Sequence, residues 1–278
     1  MISAPSLAPD TRLAFIGGGN MASAIMGGLL RQGLAATQID VVEPYAPQRE
    51  KLTAEFGVRV QETPSPDLAQ AQVVVWAVKP QTFREAALAA AAHTGGALHL
   101  SVAAGIRSDS MARWLGTERI VRAMPNTPAL VGLGMTGLYA RPAASTDDRQ
   151  WVEAVVGTTG QFVWLPAEHD LDAVTALSGS GPAYVFYFLE AMRRAGTEMG
   201  LSAETATQLA IGTFVGASQL AQASQDPPEV LRERVTSKGG TTYAALTSMA
   251  GSGVADAFVQ AMLAAQQRAR ELGDEFGG

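Results

Sequence analysis

Glycines and polar residues gather at two places in this 278-residue chain where a helix is expected to begin. The first, Gly17-Gly18-Gly19-Asn20-Met21-Ala22, matches G-x-G-x-x-G/A and stands between an apolar run and a helical stretch. Such a turn lets backbone N–H groups approach a pyrophosphate at a helix N-terminus. An acid, Glu43, follows 21 residues after Ala22. Together these features predict a dinucleotide site rather than a plain glycine turn.

Glu43 bears on which dinucleotide would bind. At the end of a second strand, its carboxylate would accept hydrogen bonds from the adenosine ribose, which favours NADH because a 2′-phosphate would be repelled. Arg49 lies at the start of the next helix and could instead bind that phosphate. Glu43 could also be an ordinary solvated residue at a strand end. The choice between NADPH and NADH therefore stays open.

Three further segments follow predicted strands, whose carboxyl ends bind ligands in a doubly wound sheet. They are Ala77-Val78-Lys79-Pro80, Ser101-Val102-Ala103-Ala104-Gly105 and Arg122-Ala123-Met124-Pro125-Asn126-Thr127-Pro128. Small residues there leave room for a nicotinamide, and Asn126 has a donor and an acceptor. Lys79 could face the cofactor or only end its strand in solvent. We assign to the cofactor site, beside the glycine turn and Glu43, the residues Ala77, Val78, Lys79, Pro80, Ala103, Ala104, Pro125 and Asn126.

The second polar turn, Thr236-Ser237-Lys238-Gly239-Gly240-Thr241-Thr242, precedes a helical stretch near the end of the chain. Glycines and hydroxyls at a helix N-terminus suit a carboxylate. The hydroxyl caps of an ordinary helix would give the same pattern. Another segment, Leu177-Ser178-Gly179-Ser180-Gly181-Pro182-Ala183-Tyr184, is predicted to open a helix, with Pro182 near its first turn.

The elements that must position these groups fall into two kinds. Short apolar runs alternate with helical stretches up to Glu168, which predicts a parallel α/β sheet. Beyond Glu168 the chain shows helical periodicity only. We therefore predict a flexible tail at 1–10, a Rossmann dinucleotide-binding domain (α/β) at 11–167 and an all-helical (all-α) domain at 168–278. The predicted strands are Leu13–Ile16, Ile39–Glu43, Val73–Val78, Leu98–Ala103 and Ile120–Ala123, with Gly134–Ala140 and Phe162–Leu165 as extensions.

Composition excludes several other classes of protein. The chain has no cysteine and three histidines without helical ligand spacing, which argues against thiol chemistry and a metal site. Its net charge is −6 with scattered basic residues, so no nucleic acid is expected as a partner. No apolar run is long enough for a membrane helix, and the first ten residues do not resemble a signal peptide. A cytoplasmic location is the expectation.

With these motifs in order along nearly the whole chain, the sequence resembles the pyrroline-5-carboxylate reductase family, the last enzymes of proline biosynthesis. The resemblance rests on Phe15 to Met21, Ala77 to Pro80, Ala103 to Gly105, Met124 to Pro128, Leu177 to Tyr184 and Gly239 to Thr242. It implies reduction of L-1-pyrroline-5-carboxylate to L-proline by NADPH or NADH, without a metal. It also implies that the all-α domain at 168–278 is a dimerisation and substrate-binding domain. The assembly would be a homodimer, and in many members a pentamer of dimers.

The resemblance further implies site residues in the second domain. The substrate carboxylate would lie on the turn formed by Ser237, Gly239, Gly240 and Thr241. Thr242 would bond the ring nitrogen and act as the catalytic residue. Glu168 would lie near the substrate.

The sequence departs from the family at two places. Lys238 stands where the family usually has proline, and Glu43-Pro44-Tyr45 lacks a phosphate-binding motif that many members carry. Rival interpretations are a reductase of another imine or of a 3-hydroxy acid, and a dinucleotide-binding protein without catalysis. The hydroxy-acid enzymes place a catalytic lysine within a helix of the second domain, whereas Lys238 lies in a turn.

Overall fold

The computed structural model describes residues 7–8 and 10–277. Most of the tail predicted at 1–10, namely residues 1–6 and 9, lies outside the described residues. The chain forms two compact units: one comprises the chain up to Ser180 together with the segment from Ala265, and the other is Gly181–Ala264. A domain boundary between residues 167 and 168 stays a prediction.

The first unit is built on a sheet of eight strands in the described residues. The strands are β1 (Leu13–Ile16), β2 (Ile39–Val42), β3 (Arg59–Gln61), β4 (Val73–Trp76), β5 (Leu98–Ser101), β6 (Ile120–Met124), β7 (Gly134–Ala140) and β8 (Gly160–Trp164). Their order is β3-β2-β1-β4-β5-β6-β7-β8. The pairs from β3 to β6 are parallel, so these six strands end at one edge of the sheet.

The sheet departs from the predicted parallel arrangement after β6. Strand β7 pairs antiparallel with β6, and β8 runs parallel to β7. A turn of 3-10 helix at Thr127–Val131 connects β6 to β7, which is too short for the helical crossover that a parallel neighbour requires. The short strand β3 has one exposed and two half-buried residues, and no strand was predicted there.

Helices cover both faces of this sheet. They are α1 (Asn20–Arg31), α2 (Ala46–Phe56), α3 (Pro80–Thr94), α4 (Ser108–Leu115), α5 (Thr146–Val156) and α6 (Asp170–Val174). Alternate residues of one strand enter different cores: Leu13 and Phe15 of β1 pack on one face, and Ala14 and Ile16 on the other. Burial on both faces explains why the central strands are apolar without alternation.

The second unit is helical, as predicted. It contains α7 (Gly181–Glu198), α8 (Ala203–Ala223), α9 (Pro228–Arg234), α10 (Thr241–Gly251) and the first half of α11 (Val254–Phe276), whose last turns belong to the first unit. Many of its apolar side chains are exposed in the single chain, among them Phe186 and Tyr187. No described helix is both long enough and apolar enough to cross a bilayer.

Candidate active site

The glycine turn after β1 is shaped by close backbone packing. Gly17 has φ +93°, and a Cβ there would lie 2.7 Å from the carbonyl oxygen of Ala77 at the end of β4. Its N–H donates to the Val42 carbonyl at 2.8 Å. Gly19 is the exposed N-cap of α1, and a Cβ there would meet no atom within 4 Å. The turn therefore leaves open space in front of a helix N-terminus.

The first turn of α1 suits an anion. It contains no acidic residue, and Gly19 makes no side-chain cap. The N–H groups at this end are therefore not occupied by a capping side chain, and the helix dipole favours a negative group. Asn20, Met21 and Ala22 form this turn, with Ala22 buried. These residues fit the pyrophosphate of a dinucleotide.

Glu43 lies directly after β2 and touches the same turn. One of its carboxylate oxygens accepts from the Gly18 N–H at 2.9 Å, and the other accepts from the Tyr45 N–H at 2.9 Å. Arg49 donates to the carbonyl oxygens of Glu43 at 3.0 Å and Pro44 at 2.6 Å. It also pairs with Glu62 at 3.2 Å. The arginine is thus held against the backbone that follows β2.

The ends of β4 and β5 lie beside the glycine turn. The Ala77 N–H donates to the Ile16 carbonyl at 2.8 Å, and the Val102 N–H donates to the Trp76 carbonyl at 3.0 Å. Lys79 is the exposed N-cap of α3, and Pro80 begins that helix. Ala103 is buried and Ala104 half-buried.

The end of β6 carries Pro125, which is buried, and Asn126, which is half-buried. The structure thus places all the predicted cofactor residues at the carboxyl ends of β1, β2, β4, β5 and β6, on one edge of the sheet. They come together because the strands are parallel neighbours. Their assignment to a cofactor stays a prediction.

Asn126 has partners that the sequence did not indicate. Its Nδ2 donates to the Ser178 carbonyl oxygen at 3.2 Å, and its Oδ1 accepts from the Met135 N–H at 2.9 Å. Ser178 lies in a π-helical turn, Thr175–Gly179, between α6 and α7. The predicted helix opening at Leu177 to Tyr184 is therefore a π turn followed by α7, with Pro182 as the second residue of α7.

Glu168 is held in a polar cluster in the first unit. Its Oε1 accepts from the Ser108 N–H at 2.6 Å and from Arg122 at 2.8 Å, and its Oε2 accepts from the Ser108 hydroxyl at 2.6 Å. Burial alone would raise the pKa of Glu168. The Arg122 charge and the bonds from Ser108 outweigh burial, so the pKa lies below its usual range.

This cluster links the segment after β8 to the first residue of α4. Ser108 and Arg122 were not assigned a role from the sequence. An arginine within an otherwise apolar strand was the available signal, because a buried guanidinium needs a partner. Arg141 joins the cluster by donating to the Ser108 hydroxyl at 2.9 Å.

The second polar turn belongs to the helical unit. Gly239 has φ +74°, and the Gly240 N–H donates to the Ser237 carbonyl at 3.0 Å. Gly240 is the N-cap of α10 without a side-chain cap, and the first turn of α10 contains no acid. Thr241 is exposed and Thr242 half-buried, and Lys238 is exposed. The turn therefore lies at the N-terminus of α10, where the N-cap residue, Gly240, provides no side-chain cap.

No cluster of three or more potential metal ligands is found among the described residues.

Comparison with known proteins identifies the family. A pyrroline-5-carboxylate reductase from Pseudomonas aeruginosa is 45% identical over 268 residues, which cover 96% of this chain and 98% of the relative. The chain belongs to the pyrroline-5-carboxylate reductase family. The predicted family is thus confirmed. The family profile described as "Pyrroline-5-carboxylate reductase dimerisation" matches residues 168–272. One described as "NADP oxidoreductase coenzyme F420-dependent" matches residues 12–105.

Solved structures of the same family share the fold. A pyrroline-5-carboxylate reductase from Coxiella burnetii has a TM-score of 0.88 and 35% identity, covering 95% of this chain and 98% of that one. The Plasmodium falciparum pyrroline carboxylate reductase, solved with NADP bound, has a TM-score of 0.85 and 26% identity and covers 96% and 100%. The predicted Rossmann domain followed by a helical domain is therefore confirmed, as is an NAD(P)-dependent oxidoreductase.

Proposed function

We propose that this chain reduces L-1-pyrroline-5-carboxylate to L-proline with a reduced nicotinamide dinucleotide, the last step of proline biosynthesis. The observation that carries this function is the 45% identity to a pyrroline-5-carboxylate reductase over 96% of the chain. Both glycine turns support it, because each leads into a helix whose N-terminus lacks a side-chain cap. One turn suits a pyrophosphate and the other a substrate carboxylate.

The residues of the first unit fit a dinucleotide. Gly17, Gly18 and Gly19 would hold its pyrophosphate with Asn20, Met21 and Ala22 of α1. Ala77 to Pro80, Ala103, Ala104, Pro125 and Asn126 would surround the nicotinamide, which supplies the hydride when the cofactor is bound. The chain's own part is to orient the two reactants, because a protonated cyclic imine accepts hydride at carbon without a strong general acid.

The turn in the helical unit is assigned to the substrate. Backbone N–H groups at Ser237, Gly239, Gly240 and Thr241 would bind the carboxylate. Thr242 is the proposed catalytic residue, because its hydroxyl would bond the ring nitrogen and hold its orientation. Glu168 is also proposed as a substrate-binding residue, and Lys238 is left without a role.

Glu43 and Arg49 support NADH over NADPH as the preferred cofactor. The Glu43 carboxylate lies at the glycine turn, where a 2′-phosphate would meet its charge. Arg49 is engaged by two backbone carbonyls and by Glu62 rather than extended toward that position.

We propose a homo-oligomer whose interface includes the helical unit. Phe186 and Tyr187 are 59% and 70% exposed in the single chain, and large apolar side chains in a soluble domain favour burial. The profile described as dimerisation matches this part of the chain. A dimer is the minimal assembly, and light scattering distinguishes it from a pentamer of dimers. A cytoplasmic location stays part of the proposal.

The deciding experiment measures initial rates with pyrroline-5-carboxylate and either NADH or NADPH, with identification of the product. Proline formation, faster with NADH, is expected. Cofactor binding without turnover of this substrate would refute the function and favour another imine or a non-catalytic role.

Two variants of Thr242 test its assignment as the catalytic residue. Thr242→Ala removes a hydrogen bond to a charged group, worth about 1.5–3 kcal/mol, so kcat/KM is expected to fall about 10- to 100-fold while the Kd for NADH is unchanged. Thr242→Ser keeps the hydroxyl and is expected to retain most of the activity. Unchanged turnover in Thr242→Ala would remove Thr242 from the mechanism.

A further inference from the structure

Asn126 occupies the N-cap position of a short 3-10 helix, but its side chain does not cap that helix. It directly precedes the 3-10 turn at Thr127–Val131, yet its side chain makes no bond to that turn. Asparagine is among the residues that cap most readily. Its carboxamide instead bridges two other segments, donating to the Ser178 carbonyl and accepting from the Met135 N–H. The acceptor bond from a backbone N–H also fixes which end of the amide faces Ser178.

The Ser178 carbonyl lies where the helix loses a donor. In an α-helix, a carbonyl accepts from the N–H four residues later. For Ser178 that residue is Pro182, which has no N–H. The backbone here is already wound as a π turn, in which the Ser180 N–H donates to the Thr175 carbonyl at 2.8 Å. Asn126 thus donates to a carbonyl whose α-helical donor is missing.

Other contacts fit the same π turn to the ends of β6 and β7. A Cβ on Gly179 would lie 2.5 Å from the terminal methyl of Met124, the last residue of β6. A Cβ on Gly137 of β7 would lie 2.9 Å from a methyl of Val174, directly before the π turn. The Ser178 hydroxyl donates to the Met135 carbonyl at 3.4 Å. Glycine at 137 and 179 therefore allows close packing of this turn on the strand ends.

We infer that Asn126 is a positioning residue, which replaces the helical donor that Pro182 removes and so holds the π turn against the carboxyl end of β6. The consequence for catalysis rests on the proposed function, in which the β6 end lies beside the nicotinamide. Small misplacements of reacting groups lower the rate strongly. Asn126 then affects the rate by holding Ser178 and the π turn in place at the end of β6.

A double-mutant cycle between Asn126 and Pro182 tests this inference. Asn126→Ala is expected to lower kcat about tenfold or more, with the Kd for NADH within about twofold of wild type. Pro182→Ala restores an N–H four residues after Ser178. In that background, Asn126→Ala is expected to lower kcat by less than about threefold. Ser178→Ala keeps the carbonyl but removes the hydroxyl, which also accepts from the Asn126 Nδ2 at 3.3 Å, so it is expected to lower kcat by less than Asn126→Ala does.

The urea midpoint, followed by tryptophan fluorescence, gives a second readout of the same cycle. All four tryptophans lie between residues 76 and 164, in the first unit. Asn126→Ala is expected to lower this midpoint, and by less in the Pro182→Ala background. Asn126→Asp keeps the acceptor for Met135 while removing the donor, so it should behave like Asn126→Ala if the Ser178 bond is the important one.

Three results would overturn the inference. An equal effect of Asn126→Ala in both backgrounds would show that the Ser178 carbonyl is not involved. A rise in the Kd for NADH that accounts for the loss of kcat/KM would make Asn126 a direct cofactor ligand. An unchanged kcat with a lower urea midpoint would leave only a structural role. If the wild-type chain did not reduce pyrroline-5-carboxylate, the proposed function would fail, and the urea midpoints would still decide whether Asn126 and Pro182 are coupled.

Discussion

Replacement of Glu168 by glutamine should destabilise the first unit. Glutamine has the shape of glutamate, and its amide can keep both bonds to Ser108, because a hydroxyl both donates and accepts. The bond to Arg122 loses its charge partner. The side chain of Arg122 is 8% exposed and that of Glu168 19% exposed, so water replaces the lost charge poorly.

The expected magnitude follows from this burial. Breaking a buried ion pair by removing one partner costs about 3–5 kcal/mol. The two retained bonds to Ser108 and the partial exposure of Glu168 reduce this cost, so we expect the free energy of unfolding to fall by about 2–3 kcal/mol. The Arg122→Met variant leaves the Glu168 carboxylate without its cation and should lower the free energy of unfolding by a similar amount. The loss of unfolding free energy in the double variant should be smaller than the sum of the two single losses by about 1 kcal/mol or more.

Urea unfolding followed by tryptophan fluorescence, at one fixed protein concentration, measures these values. Glu118→Gln is the matched control, because Glu118 pairs with Arg141 but is 59% exposed, and such surface pairs contribute about 0–1 kcal/mol. A loss below about 1 kcal/mol for Glu168→Gln, or additive losses in the double variant, would refute the argument. The KM for pyrroline-5-carboxylate, measured where the protein is folded, tests the proposed contact with substrate separately.

Three other perturbations test the remaining parts of the structure. Burial lowers the pKa of His99 from 6.5 to about 4, so the folded state stays neutral while the unfolded state binds a proton below pH 6.5. The free energy of unfolding should therefore fall by about 1 kcal/mol from pH 7.5 to pH 5.5 through this group. A His99→Gln variant that kept the same pH slope would contradict this. Gly28→Ala should cost about 1–3 kcal/mol, because its Cβ would lie 2.6 Å from the side chain of Thr158, whereas Gly95→Ala has open space and should be nearly neutral. Equal melting temperatures for these two variants would count against the packing. Glu43→Ala should shift the ratio of kcat/KM for NADH over NADPH at least about tenfold toward NADPH. An unaltered ratio would mean that the carboxylate does not contact the ribose.

Much of the structure of the first unit could be predicted from local sequence patterns. The unbroken run at Val73 to Val78 predicted a strand buried on both faces, and the structure has β4 at the centre of the sheet. The glycine turn was predicted because its φ requirement and its place between strand and helix are local properties. The start of α10 at Thr241 followed from the Gly239-Gly240 pair in the same way.

Pairing direction and side-chain partners could not be obtained in this way. Whether β7 runs parallel or antiparallel depends on how a short connection closes, and the alternating pattern of the strand is the same in both cases. Arg122 and Glu168 are 46 residues apart, and neither has a neighbour in sequence that indicates the other. The amide of Asn126 meets Ser178, which is 52 residues away.

By itself, the sequence determined the family, the glycine turn between the first strand and the first helix, the change from α/β to helical periodicity near Glu168 and the candidate residues at the strand ends. These are encoded by residue type and short spacing. Only the tertiary structure decided that β7 reverses direction, that Glu168 is held by Arg122 and Ser108, and that a π turn meets the carboxamide of Asn126. The physical reason is that a buried polar group forms hydrogen bonds with the groups that the fold places beside it. These groups can be far away in the sequence.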